Sequence, residues 1–588
     1  MRKFLPYLGI AVSLILVVLL GQQNTAIHEF IHHNGEAEML LIFFEMSLML
    51  SLSALVIYVS SQTILPSFVV AIFFGIAARP LLGSITGNQE VLSTIVGLGA
   101  TLILFGGGLE VPFKNFKRLF WKILSLSFIG LGLTALLFSG SLLPISGLLG
   151  SPLTAVTVVL LGAILASTDP AAIIPVLKVL RFKNRDTKDI IISESAMTDV
   201  TGTLLTIAFL TMASTGVVFQ TDMLANFGLL FSRETASILG MQILFGVIFG
   251  IFGWGLLELF VKFKKKQGSE NEADAAFFLF IPIIVFTVAL LFGGSGYLAA
   301  FIAGLLLILS EHLKETEHFF NRTIDGFLKP FIFLLLGALV DPAAMISYAG
   351  IGLVAAFIFM FIIRPIAVFV SLAPFKLFKN EELKWKDLVF ISFVRETGAI
   401  PAVLLVTVVS SGITGIEGLL PIGMWVILCT LIIQPPLTPL VAKVLGVADK
   451  IENNDEDEVV LKKQSAVLAT RGNSYERRLP VAMEWCMKHN IHELLILNCM
   501  EDKYTQEKAN EITKNATVAA ADYNAKNHNE GLPQVNLSIV HHRGLLEENV
   551  AKLSNEEKKL SVIFVGRRVL DFRLEHFKTM NIPIRFLD

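Results

Sequence analysis

The sequence predicts an all-α polytopic membrane protein with a small α/β domain at its C-terminal end. Three observations lead there. Hydrophobic residues make up 54% of the chain and charged residues only 16%, against about 25% charged in an average soluble domain. The apolar excess lies before about residue 447, in runs near the ~20 residues a helix needs to cross a bilayer with its backbone satisfied internally. Basic residues recur in alternate loops only, which is a second, independent periodicity.

Residues 1–38 begin with Arg2 and Lys3 and an apolar run to Leu20, which fits either a signal peptide or an extra N-terminal span. A polar external loop follows; His28, His32 and His33 read there as solvated residues, with a zinc site the weaker alternative. The transmembrane domain, 39–446, holds about 13 spans, near 39–60, 63–82, 90–110, 118–143, 153–180, 189–215, 235–262, 275–293, 295–312, 328–346, 347–374, 387–411 and 418–445. They are numbered here one to thirteen.

Lys114, Lys117, Arg118 and Lys122 flank span three. Lys178, Arg181, Lys183, Arg185 and Lys188 lie between spans five and six. Lys262, Lys264, Lys265 and Lys266 follow span seven, and Lys376, Lys379, Lys384 and Lys386 follow span eleven. The intervening loops, such as Ser139–Pro152 and Ser410–Glu417, carry almost no basic charge. Positive charge marks the cytoplasmic side, so the protein is expected in the cell (inner) membrane with its C-terminus in the cytoplasm. An acidic linker, 447–463, contains NNDEDE. In 464–588, the apolar runs Ala466–Ala469, Leu494–Leu497, Val535–Val540, Leu560–Val565 and Ile582–Phe586 alternate with helical stretches, the pattern of a small parallel sheet in a cytoplasmic regulatory domain.

A formal net charge of −2 gives no basis for nucleic-acid binding. The three cysteines, Cys429, Cys486 and Cys499, have no metal-ligand spacing, and the spans contain neither HExxH nor a Ser/His pair, so neither an enzyme nor a bound cofactor is expected.

Six ionisable residues fall inside spans: Asp169, Glu194, Asp199, Arg364, Arg395 and Glu396. At roughly 2.5–3.5 kcal/mol each near a helix centre, together they cost on the order of 15–20 kcal/mol unless they meet one another or water. Glu194 can be neutralised by Arg395 or Arg364, a purely structural ion pair. Asp199 is less easily explained so, because carboxylates outnumber arginines. Ser195 and Asp199 stand i and i+4 on one helix face, a hydroxyl and a carboxylate suited to a small monovalent cation, with Glu194 and Thr198 on the adjacent stripe. Asp169 precedes Pro170. Span five should therefore break near Thr168 and Asp169 and free carbonyls toward an ion, or let Asp169 cap the half-helix beyond. A second break is expected in span twelve at Gly398 and Pro401. AAIIPVL from Ala171 and GAIPAVL from Gly398 suggest that spans one to six and eight to thirteen are inverted repeats whose broken helices cross near the midplane.

Burial disfavours the charged carboxylate. Asp199 then takes a proton or a cation but not both, which couples the two movements in alternating access, and acid should inhibit. Sodium is the first expectation, with potassium and lithium offering the same chemistry. A gated cation channel or membrane sensor is the competing class; it needs neither proton coupling nor Asp199.

Thr168–Pro170 (TDP), Glu194–Asp199 (ESAMTD) and the arginine of span twelve together resemble the monovalent cation:proton antiporter superfamily, in particular its NhaP-type sodium/proton antiporters. LFGGGLEV in span three is also similar, though Glu110 is given no role. The resemblance implies that Asp199 is the essential acid and that Thr168, Asp169 and Ser195 share the cation site. It further implies a Glu194–Arg395 pair, and a homodimer in which a core domain moves against a dimerisation domain. Thr198 stands where those proteins usually have asparagine; a single carboxylate there implies one-for-one, electroneutral exchange. FVRETG replaces the usual Gly-x-Arg-Gly, adding Glu396. The C-terminal domain is similar to universal stress proteins, but VGRRVLDF from Val565 lacks their glycine-rich phosphate loop, so nucleotide binding is not expected.

Overall fold

The computed structural model describes residues 5–33, 37–63, 65–168, 174, 176–177, 180–267, 274–307, 314–379 and 383–450. In the C-terminal part it describes 465–470, 475–488, 493–500, 512–521, 524, 536–543, 560–566 and 584–587. The chain divides into two compact units, Met1–Lys450 and Ile451–Asp588.

The first unit is helical. In chain order its main helices are α1 (Leu5–Gln22), α2 (Asn24–His33), α3 (Ala37–Ser60), α4 (Ser67–Ala78), α5 (Gln89–Glu110) and α6 (Phe113–Leu148). There follow α7 (Ala155–Leu165), α8 (Arg185–Ser214), α9 (Arg233–Gln267), α10 (Asp274–Leu291), α11 (Gly296–Leu306) and α12 (Lys329–Leu339). The series ends with α13 (Ala349–Leu377), α14 (Trp385–Phe393), α15 (Ala399–Ser410) and α16 (Leu419–Leu445). Seven of these described helices, α3, α5, α6, α8, α9, α13 and α16, are long and apolar enough to cross a membrane. Large apolar side chains such as Phe43, Trp121, Leu244 and Phe252 face outward, as expected when the solvent is lipid.

Three expectations need correction. The segment with His28, His32 and His33 is helical, not a loop: Ile27, Phe30 and Ile31 recur at helical spacing, and Ile31 is buried. Among the described residues, the apolar helices in spans two, five, eight, nine and twelve are only 10–17 residues long. Pro401 does not break span twelve. The break is Val394–Gly398, and Pro401 sits in the first turn of α15, where its missing N–H has no intrahelical partner to lose.

The inverted repeats leave a mark in the packing. If span two corresponds to span nine and span three to span ten, a contact between two and ten must recur between nine and three. It does: α4 crosses α12 with Gly75 against Gly337, and α5 crosses α11 with Gly108 against Gly304. A Cβ on any of these glycines would strike the partner backbone. The ends of α5 and α12 also read alike, GGLEVP from Gly107 and GALVDP from Gly337.

Among its described residues the second unit has five parallel strands, β3 (Ser465–Thr470), β4 (Glu493–Met500), β5 (Asn536–Arg543), β6 (Leu560–Gly566) and β7 (Ile584–Leu587). They lie in the order β5-β4-β3-β6-β7, with α17 (Tyr475–Lys488) packed on them through Leu479, Met483 and Cys486. A shorter antiparallel pair, β1 (Leu180–Phe182) with β2 (Ala448–Lys450), belongs to the first unit.

Candidate ion-binding site

Two breaks and one continuous helix build the site. Asn184 starts α8 by accepting the Asp186 amide, and the helix then runs unbroken for 30 residues. Its buried face presents Glu194, Ser195, Thr198, Asp199 and Gly202. Opposite it, α7 ends at Leu165, and Ser167 and Thr168 stand in non-helical backbone. The break thus begins earlier than Thr168. Asp169, Pro170 and Pro175 lie outside the described residues.

The Ser167 hydroxyl donates to Asp199 Oδ1 at 2.6 Å. The Thr168 and Thr198 hydroxyl oxygens are 2.7 Å apart, and Thr198 Oγ1 donates to the Ser195 carbonyl at 2.9 Å. A hydroxyl carries a single hydrogen, so Thr168 donates to Thr198 and retains its own lone pairs. Ser167, Thr168, Ser195, Thr198 and Asp199 are all buried, Asp199 being 5% exposed. The set comprises one carboxylate, four hydroxyls and a backbone carbonyl. All are hard oxygen donors, which favour alkali cations over soft metals. No cluster of three His, Cys, Asp or Glu side chains occurs among the described residues.

Close approach of the two segments requires Gly202. A Cβ there would lie 2.8 Å from that of Ser167. α8 is braced from behind by Thr201, whose hydroxyl donates to the Ser127 carbonyl at 2.9 Å within the π-helical turn Leu126–Gly130 of α6.

The arginines divide differently from the expectation. Arg364 Nη2 lies 2.9 Å from Glu194 Oε2, with the two side chains only 1% and 3% exposed. Arg395, implied as the partner of Glu194, instead donates to the Ala166 carbonyl and to Thr134 Oγ1 at 3.5 Å, with its guanidinium over the Phe359 ring at 5.3 Å. Backbone geometry decides this. A π-helical turn, Phe359–Ile363, immediately precedes Arg364 and rotates it relative to an ordinary helix. Arg395 lies in the span-twelve break, from which it reaches backbone. Glu396 is buried in the same stretch, whose Thr397 hydroxyl bonds that of Thr430. Sequence reasoning missed Ser167 and Gly202; the run of hydroxyls before Asp169 was the available signal for the first.

A family model described as the sodium/hydrogen exchanger, transmembrane, matches residues 48–444. The K(+)/H(+) antiporter NhaP2 of Shewanella baltica is 26% identical over 399 residues, which cover 66% of this chain and 64% of that protein. Na(+)/H(+) antiporter 1 of Methanocaldococcus jannaschii is 26% identical over 386 residues, covering 63% and 84%. The chain therefore spans less than two thirds of the length of the Shewanella relative. Among solved structures, the sodium proton antiporter MjNhaP1 of M. jannaschii at pH 8 aligns at 25% identity with a TM-score of 0.53, covering 68% of this chain and 99% of that one. The buried charges, broken helices and a match across most of the membrane unit agree: this is a polytopic membrane protein that belongs to the sodium/hydrogen exchanger transmembrane family.

Proposed function

We propose that the protein exchanges a monovalent cation for protons across a cell membrane by alternating access, with Asp199 as the group that binds either. One observation carries the reading: a buried carboxylate held by Ser167 across a broken helix. A buried carboxylate set among hydroxyl oxygens offers one hard-oxygen seat that a cation or a proton can occupy in turn. Thr168, Thr198, Ser195 and Asp169 complete the oxygen set, and Glu194–Arg364 holds α8 to α13. Sodium is the first candidate. Potassium is the alternative, supported by the likeness to a K(+)/H(+) antiporter of Shewanella, as sodium is by the likeness to the Na(+)/H(+) antiporter of M. jannaschii. The basic loops support a cytoplasmic C-terminal unit; in this reading it regulates the membrane unit, and the chain works as a homodimer in the inner membrane.

The test is proton flux in inverted vesicles on addition of sodium, potassium or lithium. Wild type should release protons with at least one of them, Asp199→Asn with none. If no cation moves protons in wild type, or if the variant matches it, the reading fails.

A further inference from the structure

We propose that the strand pair β1–β2 is a positioning clamp for the ion site, and that the residues from Gly446 to Lys450 therefore act in transport. This rests on the exchange reading above. β1 lies on the return of span five, between Thr168 and the start of α8. β2 follows α16 directly. Their register sets Leu180 opposite Lys450, Arg181 opposite Asp449 and Phe182 opposite Ala448. The Lys183 amide extends the ladder by donating to the Val447 carbonyl at 3.0 Å. Antiparallel pairs alternate between bonded and non-bonded, so Arg181 and Asp449 form the next bonded pair.

The turn from α16 into β2 is made by Gly446 at φ +67°, with the Gly446 and Val447 amides closing on the Lys443 and Ala442 carbonyls. Leu180, Val447 and Ala448 are buried. Phe182 meets Phe390 of α14 edge-on, with ring centres 5.8 Å apart. One turn into α8, Thr187 Oγ1 donates to Asp387 Oδ1 at 3.0 Å, while Asp387 Oδ2 accepts the Lys384 amide that opens α14. The clamp thus joins α8, the return of span five, α14 and α16 at one point, and so engages both interrupted spans.

Its importance follows from the break. Ser167 and Thr168 have no helix of their own, and their placement against Asp199 is fixed by what holds the chain on either side. α7 holds one side. On the other, the described residues Ile174, Val176 and buried Leu177 are helical, and β1 is the strand that anchors their far end. An isolated pair of three-residue strands is marginal, so this one depends on its packing and on each ladder bond. Ile451, the first residue of the second unit, follows β2 directly.

The test uses the full chain in proteoliposomes. Asp449→Pro removes a ladder amide, while Asp449→Ala keeps it and removes only the exposed contact to Lys183, 3.9 Å away. Asp449→Pro should raise the apparent KM for the cation at least fivefold with Vmax within twofold, while Asp449→Ala stays within twofold on both. Arg181→Cys with Asp449→Cys places two thiols on exposed facing positions about 5.5 Å apart at Cα, within disulfide range. Oxidation should leave both parameters within twofold of the reduced protein and of oxidised wild type. Wild-type behaviour of Asp449→Pro, equal loss in Asp449→Ala, or exchange stopped by oxidation and restored by reductant would each overturn the clamp. Should Asp449→Pro not reach the membrane, the cross-link decides. Absence of exchange in wild type would instead count against the antiporter reading.

Discussion

The Glu194–Arg364 pair offers the sharpest quantitative test. Arg364 Nη2 sits 2.9 Å from Glu194 Oε2, and the two side chains are 1% and 3% exposed. Removing one partner from such a pair leaves a buried, uncompensated charge, at a cost of about 3–5 kcal/mol, while replacing both by neutral residues is often close to neutral. Glu194→Gln and Arg364→Met should each lose about that much. The double variant should recover most of it, giving a coupling of about 2–3 kcal/mol or more. The second cycle pairs Glu194→Gln with Arg395→Met. Arg395 spends its described hydrogen bonds on the Ala166 carbonyl and Thr134, so coupling there should stay below about 1 kcal/mol. Unfolding in mixed micelles on titration with dodecyl sulfate, followed by tryptophan fluorescence, measures all six proteins. A larger coupling to Arg395 than to Arg364 would refute the assignment. So would a Glu194→Gln protein as stable as wild type.

Three further outcomes are expected. Ser167→Ala removes a hydrogen bond to a carboxylate, worth about 1.5–3 kcal/mol, and should raise the apparent KM for the cation at least about tenfold; buried Ser193 provides the control, and Ser193→Ala should stay within twofold. Gly202→Val should abolish exchange in vesicles while the protein still reaches the membrane, because its Cβ would sit 2.8 Å from that of Ser167. In the C-terminal unit, burial pushes the Cys486 thiol up to about 12. Its folded value is above its unfolded one, so its contribution to stability is complete below about pH 9 and declines as pH rises from there toward 12. Maleimide at pH 8 should label Cys486 only after denaturation, and rapid labelling of the native protein would count against that burial.

What could be read from sequence was whatever leaves a local chemical trace. Long apolar runs, alternating basic loops and carboxylates in the wrong solvent all act through composition within a window of about 20 residues. So does Pro170, which announces a break wherever the rest of the chain lies. The partner of Glu194 was not readable. Arg364 is 170 residues away, against 201 for Arg395, and sequence distance gives no reason to choose. The π-helical turn before Arg364 also shifts its face, so a regular helical wheel across span eleven points it wrongly. Ser167 was missed for a related reason. Helical spacing made Ser195 the natural companion of Asp199, whereas the hydroxyl that reaches Asp199 Oδ1 comes from non-helical backbone, to which no period applies. Short helices such as α4 and α11 were overextended because apolar composition continues past the point where the helix stops.

The two breaks are better understood as one structure than as two. In a bilayer an orphaned backbone group costs several kcal/mol, so an interrupted helix needs outside partners. In a continuous helix the Ala166 carbonyl would accept the amide of residue 170, but residue 170 is proline and has none. Arg395 supplies the donor instead, from within the break of span twelve. That second break is what lets residue 395 reach backbone across the core instead of lying along a helix face. Each interruption therefore makes the other affordable, which explains why a proline in one repeat should accompany an unwound arginine in the other. It also separates the duties of the two buried arginines. Arg364 neutralises a carboxylate, a role that a lysine could share. Arg395 donates to a carbonyl and a hydroxyl while lying over the Phe359 ring, which calls for the flat, many-donor guanidinium.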